Sequence, residues 1–178
     1  MFDLFSAFIM HRNHLLYLNQ HGFKKGHSSY LPLLDIQEII TASLEANKYS
    51  LGTFLDLAKA FDTVDHNILL AKLKYYGIRG LAISWLESYL QQRSQKVIFM
   101  VLFLYLEPKI LGCHRGPILA LLFLIYINDL PNTSQILHYI LFCDSSNIFL
   151  SSPNLDALIQ TATIELITTS DLFKANKL

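Results

Sequence analysis

A carboxylate at the end of an apolar, β-favouring run constrains this chain more than any other feature. Leu51, Thr53, Phe54 and Leu55 lead into Asp56, and Asp62 and Asp65 follow before a helical pattern begins at His66. Burying a charge is costly unless it is paired or coordinates a cation. Asp56 therefore either caps the turn after the strand or meets a partner that the neighbouring sequence does not supply. A second stretch far downstream bears on that choice. From Ile136 to Leu150 two apolar runs flank a short Cys-Asp-Ser-Ser-Asn segment, which predicts a β-hairpin with Asp144 at its tip. Two strand-end carboxylates in one sheet are what a two-metal phosphoryl-transfer site requires, where Mg²⁺ ions about 4 Å apart clamp the attacking and leaving oxygens. The turn alone also accounts for Asp144, so spacing leaves both readings open.

Composition narrows the class. At 178 residues and 52% hydrophobic content the chain is long enough for one domain with a packed core. The net charge is zero, so no overall basic field attracts a polyanion, and any nucleic-acid surface has to be local. Positive side chains outnumber acids between Lys59 and Arg115, which fits either a basic face or a solvated one. The two cysteines, Cys113 and Cys143, lack CxxC spacing and follow no secretory leader, so reduced thiols, an intracellular location and no zinc site are expected. The histidines are scattered, with His11 and His14 the only close pair. The apolar runs 97–106 and 117–127 are shorter than the roughly 20 residues that span a bilayer, so they are expected in the core rather than in a membrane.

Along the chain, apolar positions from Phe2 to Asn19 are compatible with a helix interrupted at His11 to His14, and 19–29 reads as a loop. Pro32 followed by Ile36, Ile40 and Leu44 predicts a helix to about Asn47 with those three residues as its buried stripe. Asp65 is placed to cap a helix that buries Leu69, Leu73 and Tyr76 and ends at Gly77; a second helix turns Leu81, Trp85 and Tyr89 inward. Gln95 to Leu106 reads as a strand or hairpin. A helix over 118–128, apolar nearly all round, should be buried. Ser152 and Pro153 should start a last helix with Leu155, Leu158, Ala162, Leu166 and Ile167 on its apolar side.

The words themselves add what periodicity does not. HGFKKGHSS at 21–29, FLDLAKAFDTVDHNILLAKLKYYGIRG at 54–80, SWLESYLQQRSQKV at 84–97, LLFLIYINDLP at 121–131 and ILFCDSSNIFLS at 140–151 occur in that order. Together they closely resemble the reverse transcriptase domain of non-LTR (LINE-type, jockey-like) retrotransposons, over roughly residue 15 to the last. The resemblance implies an α+β fold: a partial polymerase palm over 51–178, an antiparallel sheet backed by helices, with partial fingers over 1–50 and the thumb absent, all one domain. It implies RNA-directed DNA polymerisation with Mg²⁺, on an RNA template and a DNA primer with dNTPs.

By the same resemblance Asp56 and Asp144 are the catalytic metal ligands. Lys24 and Lys25 sit where the fingers place basic side chains near the incoming triphosphate, and Phe61 matches the aromatic that blocks a ribose 2′-hydroxyl. Relatives carry a Gly-Val-Pro-Gln-Gly-Ser-like turn where this chain has Gly112 to Pro117, so Arg115 stands where a glutamine contacts the nascent base pair, and Gly116 is retained. Relatives also carry two adjacent aspartates at the hairpin tip, whereas Ser145 follows Asp144 here. A hydroxyl is a weaker ligand for a hard cation than a carboxylate. The expected consequence is absent or severely reduced activity, the alternatives being a non-catalytic nucleic-acid-binding remnant or a decayed fragment.

Overall fold

The computed structural model describes residues 15–23, 28–57, 60, 63–90, 98–99, 102–103 and 117–178. In chain order these form α1 (Tyr30–Glu45), β1 (Tyr49–Asp56), α2 (His66–Tyr75), α3 (Leu81–Leu90), β2 (Ile98–Phe99), β3 (Leu102–Phe103), α4 (Pro117–Ile127), a 3-10 turn (Leu130–Thr133), β4 (His138–Phe142), β5 (Ser145–Ser152) and α5 (Leu155–Ala175). The architecture is α+β. A three-stranded antiparallel sheet runs in the order β1-β5-β4, and β2 and β3 form a separate antiparallel pair.

Antiparallel partners share a face, so the register sorts every side chain of the sheet. Leu51, Thr53 and Leu55 line up with Leu150, Ile148 and Ser146, and these with Tyr139 and Leu141. That face packs into the main core with buried residues of α2, α3, α4 and α5. The opposite face carries Gly52, Phe54 and Asp56 beside Phe149, Asn147 and Ser145. α4 is the centre of the core: Leu121 to Ile127 are all buried, as an all-apolar segment must be, and Pro117 opens it where its missing N–H costs nothing.

Local chemistry explains the helix that follows β1. The Asp65 carboxylate accepts from the amides of Asn67 and Ile68, Leu69 and Leu73 are fully buried, and Gly77 takes a φ of +89° just past the end. Behind it, the Tyr126 hydroxyl donates to the Asn176 carbonyl and accepts from the Asp65 amide, tying the end of α5 to the start of α2. Lys177 adds a 2.6 Å ion pair with Asp65. Lys72 donates to Asp129 and to the Tyr126 carbonyl, and burial pulls its ammonium below the usual lysine range.

Expectations for four segments need correction. Over Leu15 to Asn19 the chain is bends and turns, not helix, because Asn128 holds the Leu15 carbonyl and the Tyr17 amide and the segment then pairs with β4. α1 does not bury Ile36, Ile40 and Leu44; Pro32 and Ser43 are buried and Ile36 and Ile39 half-buried, while Leu44 is 67% exposed. A strict four-residue spacing drifts about 40° per step around a 3.6-residue helix, so a stripe written that way walks off the face. α3 repeats the point: Ile83, Leu86 and Leu90 are buried and Leu81 is 88% exposed, with Trp85 and Tyr89 stacked half-buried beside the core. α5 is capped by Asn154, whose side chain accepts from the Ala157 amide, rather than by Ser152 and Pro153. Its buried side is Leu158, Ala162 and Thr169, leaving Leu155 and Ile167 outside. Where a strand or hairpin is expected over 95–106, the described residues 98–99 and 102–103 form the antiparallel β2–β3 pair.

Candidate active site

The site is built by the register of the two long strands. β1 runs into Asp56, which lies directly across from Ser145, the first residue of β5. Phe142 is also paired with Ser145, so the β4–β5 connection is a two-residue turn of Cys143 and Asp144. Asp144 is thus one position out of direct opposition to Asp56, at the same end of the same sheet. Asp56 and Ser145, as directly paired residues, project to the same face, with Cβ atoms typically about 4.5–5.5 Å apart. Asp56 is exposed and Asp144 half-buried.

The turn is conformationally demanding. Cys143 adopts a φ of +56°, a region that L-residues with a Cβ occupy at a cost and that two-residue hairpin turns usually reserve for glycine or asparagine. Burial, and then the neighbouring Asp144 charge, push the Cys143 thiol above its ordinary range, so it stays protonated at neutral pH. Two residues upstream of Asp56, Phe54 is 66% exposed and meets Phe149 edge-on, with ring centroids 5.7 Å apart. Gly52 makes room for that pair: a Cβ there would fall 2.9 Å from the Phe149 ring.

Of the residues singled out from sequence, Asp56 and Ser145 are directly paired and Asp144 lies in the adjoining turn. Lys24, Lys25, Phe61, Arg115 and Gly116 lie outside the described residues, as does Cys113. Among the described residues no group of three His, Cys, Asp or Glu side chains is placed to hold a metal ion; the register offers the Asp56 carboxylate, the Ser145 hydroxyl across from it and the Asp144 carboxylate in the adjoining turn. That donor set still suits a hard cation, since Mg²⁺ is commonly held by one or two carboxylates together with substrate phosphates. Among the described residues no helix is long and apolar enough to cross a membrane.

Sequence reasoning missed the segment that abuts the turn. The Leu141 amide donates to the Asn19 carbonyl and the His21 amide to the Leu141 carbonyl, which lays residues 19–21 parallel along the outer edge of β4. Gly22 then touches the backbone of Cys143 itself. The one available signal was Gly22, in a stretch read as a loop of the fingers with no link to the hairpin.

Residues 7–173 match the family model described as reverse transcriptase (RNA-dependent DNA polymerase). This chain belongs to the reverse transcriptase family. It is 30% identical over 132 residues, 69% of its length, to the probable RNA-directed DNA polymerase from transposon BS of Drosophila melanogaster. It is 31% identical over 120 residues, 64% of its length, to the probable RNA-directed DNA polymerase from transposon X-element of the same organism. The matched segments cover 14% and 12% of those two proteins, so the chain corresponds to a small part of each. The sequence is thus that of a partial reverse transcriptase of retrotransposon origin, and the antiparallel sheet with helices is compatible with that family's fold.

Proposed function

We propose that this chain is part of the fingers, 1–50, and a partial palm, 51–178, in one domain of an RNA-directed DNA polymerase working inside the cell. In this reading it extends a DNA primer along an RNA template with dNTPs, and in this copy nucleotidyl transfer is severely reduced. The observation that carries the reading is the register that sets Asp56 opposite Ser145 with Asp144 next to it. Asp56 and Asp144 would hold Mg²⁺, which when bound acidifies the primer 3′-hydroxyl and neutralises the triphosphate.

The chain's own contribution is charge and position. In this reading the Asp56 and Asp144 carboxylates serve one cation at the end of the sheet where both residues lie, and Ser145 adds a neutral oxygen where family members have a third negative charge. Lys24 and Lys25 would face the triphosphate, Phe61 would exclude a 2′-hydroxyl, and Arg115 beside Gly116 would approach the forming base pair. Removing one preorganised group that stabilises the transition state commonly costs about 10²–10³ in rate. Primer extension on an RNA template with Mg²⁺ should therefore be undetectable or slower by about that factor than with Ser145→Asp. Ordinary turnover by the unmodified chain would overturn the claim of impairment, and loss of that turnover in Asp56→Asn would still uphold the assigned site.

A further inference from the structure

The turn that carries Asp144 does not hold its shape alone. Residues 19–23 form a strap that is anchored at two places, on β4 and on α1, and tied once within itself. The Leu141 backbone pairs with Asn19 and His21, and the Gly22 amide donates to the buried Gln20 side chain at 2.8 Å. The His21 ring meets Asp35 of α1 at 2.8 Å. The strap ends against the tip: a Cβ on Gly22 would lie 2.5 Å from the Cys143 nitrogen and 3.0 Å from its Cα, both backbone atoms that cannot swing aside. Two non-glycine residues, Phe23 with φ 54° and Cys143 with φ 56°, hold left-handed conformations at this junction. Such conformations persist where the surroundings over-determine them. Gln20 is committed to the strap through its Oε1, which accepts from the Gly22 amide; its Nε2 is buried and has no hydrogen-bond partner among the described residues.

From this we infer that Gly22 and Gln20 are positioning residues: the strap fixes the strained Cys143–Asp144 turn from outside and so aims the Asp144 carboxylate at the cation site. The inference rests on the assignment of Asp56 and Asp144 as that site, and its test separates the two. In a Cys113→Ser background Cys143 is the sole thiol and reports on the turn directly. Gly22→Ala, which forces the two backbones apart, should raise the rate of Cys143 labelling by a disulfide reagent on the order of tenfold, through local opening and without loss of the cooperative melt. Gln20→Met, which keeps the bulk but removes the acceptor, should do the same to a lesser degree and serves if Gly22→Ala does not fold.

Mn²⁺ titration followed by electron paramagnetic resonance supplies the second readout, with Asp56→Asn and Asp144→Asn as controls. Gly22→Ala should weaken Mn²⁺ binding. Adding Cys143→Gly should restore it, because glycine adopts the positive φ unaided. A purely structural role for Gly22 would leave labelling unchanged in the folded protein and would show no such rescue. If the aspartate controls weaken Mn²⁺ binding while neither strap variant alters labelling or binding, the inference fails and the site stands. If the controls leave Mn²⁺ binding untouched, the site assignment fails, and the labelling rates alone decide whether the strap holds the turn.

Discussion

Ser145→Asp tests the site through its electrostatics, without requiring catalysis. The register sets position 145 directly across from Asp56, so the new carboxylate would lie about 5 Å from the existing one. Two like charges at that distance repel by between about 0.8 kcal/mol at the dielectric of water and about 3 kcal/mol at an effective value of 20. For a chain of this size each kcal/mol moves Tm by about 2–4 °C, so the variant should melt about 2–12 °C below the neutral control Ser145→Asn. The sign with pH is fixed. A carboxyl raised by a like charge keeps its stability below the unfolded pKa and loses it as pH rises through the raised value, so the gap should vanish below about pH 4 and open above it. Saturating Mg²⁺ at constant ionic strength should return about 2.7 kcal/mol at a hundredfold excess over Kd, and should stabilise Ser145→Asp more than Ser145→Asn. Circular-dichroism melts with and without the metal read both effects. Equal melting of the two variants at neutral pH, or equal stabilisation by Mg²⁺, would show that position 145 does not share a charge environment with Asp56.

Other perturbations follow from the same structure. Tyr126→Phe removes the hydroxyl that bridges Asp65 and Asn176 in a fully buried setting, and should cost about 1–3 kcal/mol in denaturant unfolding. Lys177 and then the amides of Ile68 and Asn67 hold the Asp65 carboxyl below its usual range, so its contribution is present above about pH 4 and is lost as pH falls through the depressed value. Asp65→Ala should cost about 0.5–2 kcal/mol at pH 7, and its difference from the unmodified chain should narrow in melts run below pH 4. Gly52→Ala should destabilise by about 1–3 kcal/mol through the buried Phe149 ring, and a double-mutant cycle with Phe149→Leu should recover most of that cost.

Much of this architecture was legible because its signals are local. Asp65 before an apolar-periodic run and Gly77 after it delimit α2, the unbroken apolar run marks α4 as the buried helix, and two β-favouring runs around Cys143-Asp144 mark the hairpin. Burial faces were less legible. In α1 and α3 the apolar residues outnumber the buried positions, so composition alone did not say that Leu44 and Leu81 face outward while Ser43 faces inward. Within the site, the two acids announce themselves as strand ends, but their alignment is a matter of register between residues nearly ninety positions apart. The strap was illegible for the same reason. Its partners, Leu141 and Cys143, are remote in sequence, and a glycine required by a close backbone approach looks on the page like any loop glycine.

The strand that carries Asp56 lies at one margin of the sheet and, among the described residues, is paired only with β5. Its outer row of peptide groups offers a template for another extended segment, and exposed Tyr49 and Phe54 make that margin sticky as well as unsaturated. Handling should follow from this: clarity of a solution of the isolated chain will depend on protein concentration as much as on temperature, and a lysine placed at an outward position of Tyr49–Asp56 away from the acid should delay clouding while leaving the melting point nearly where it was.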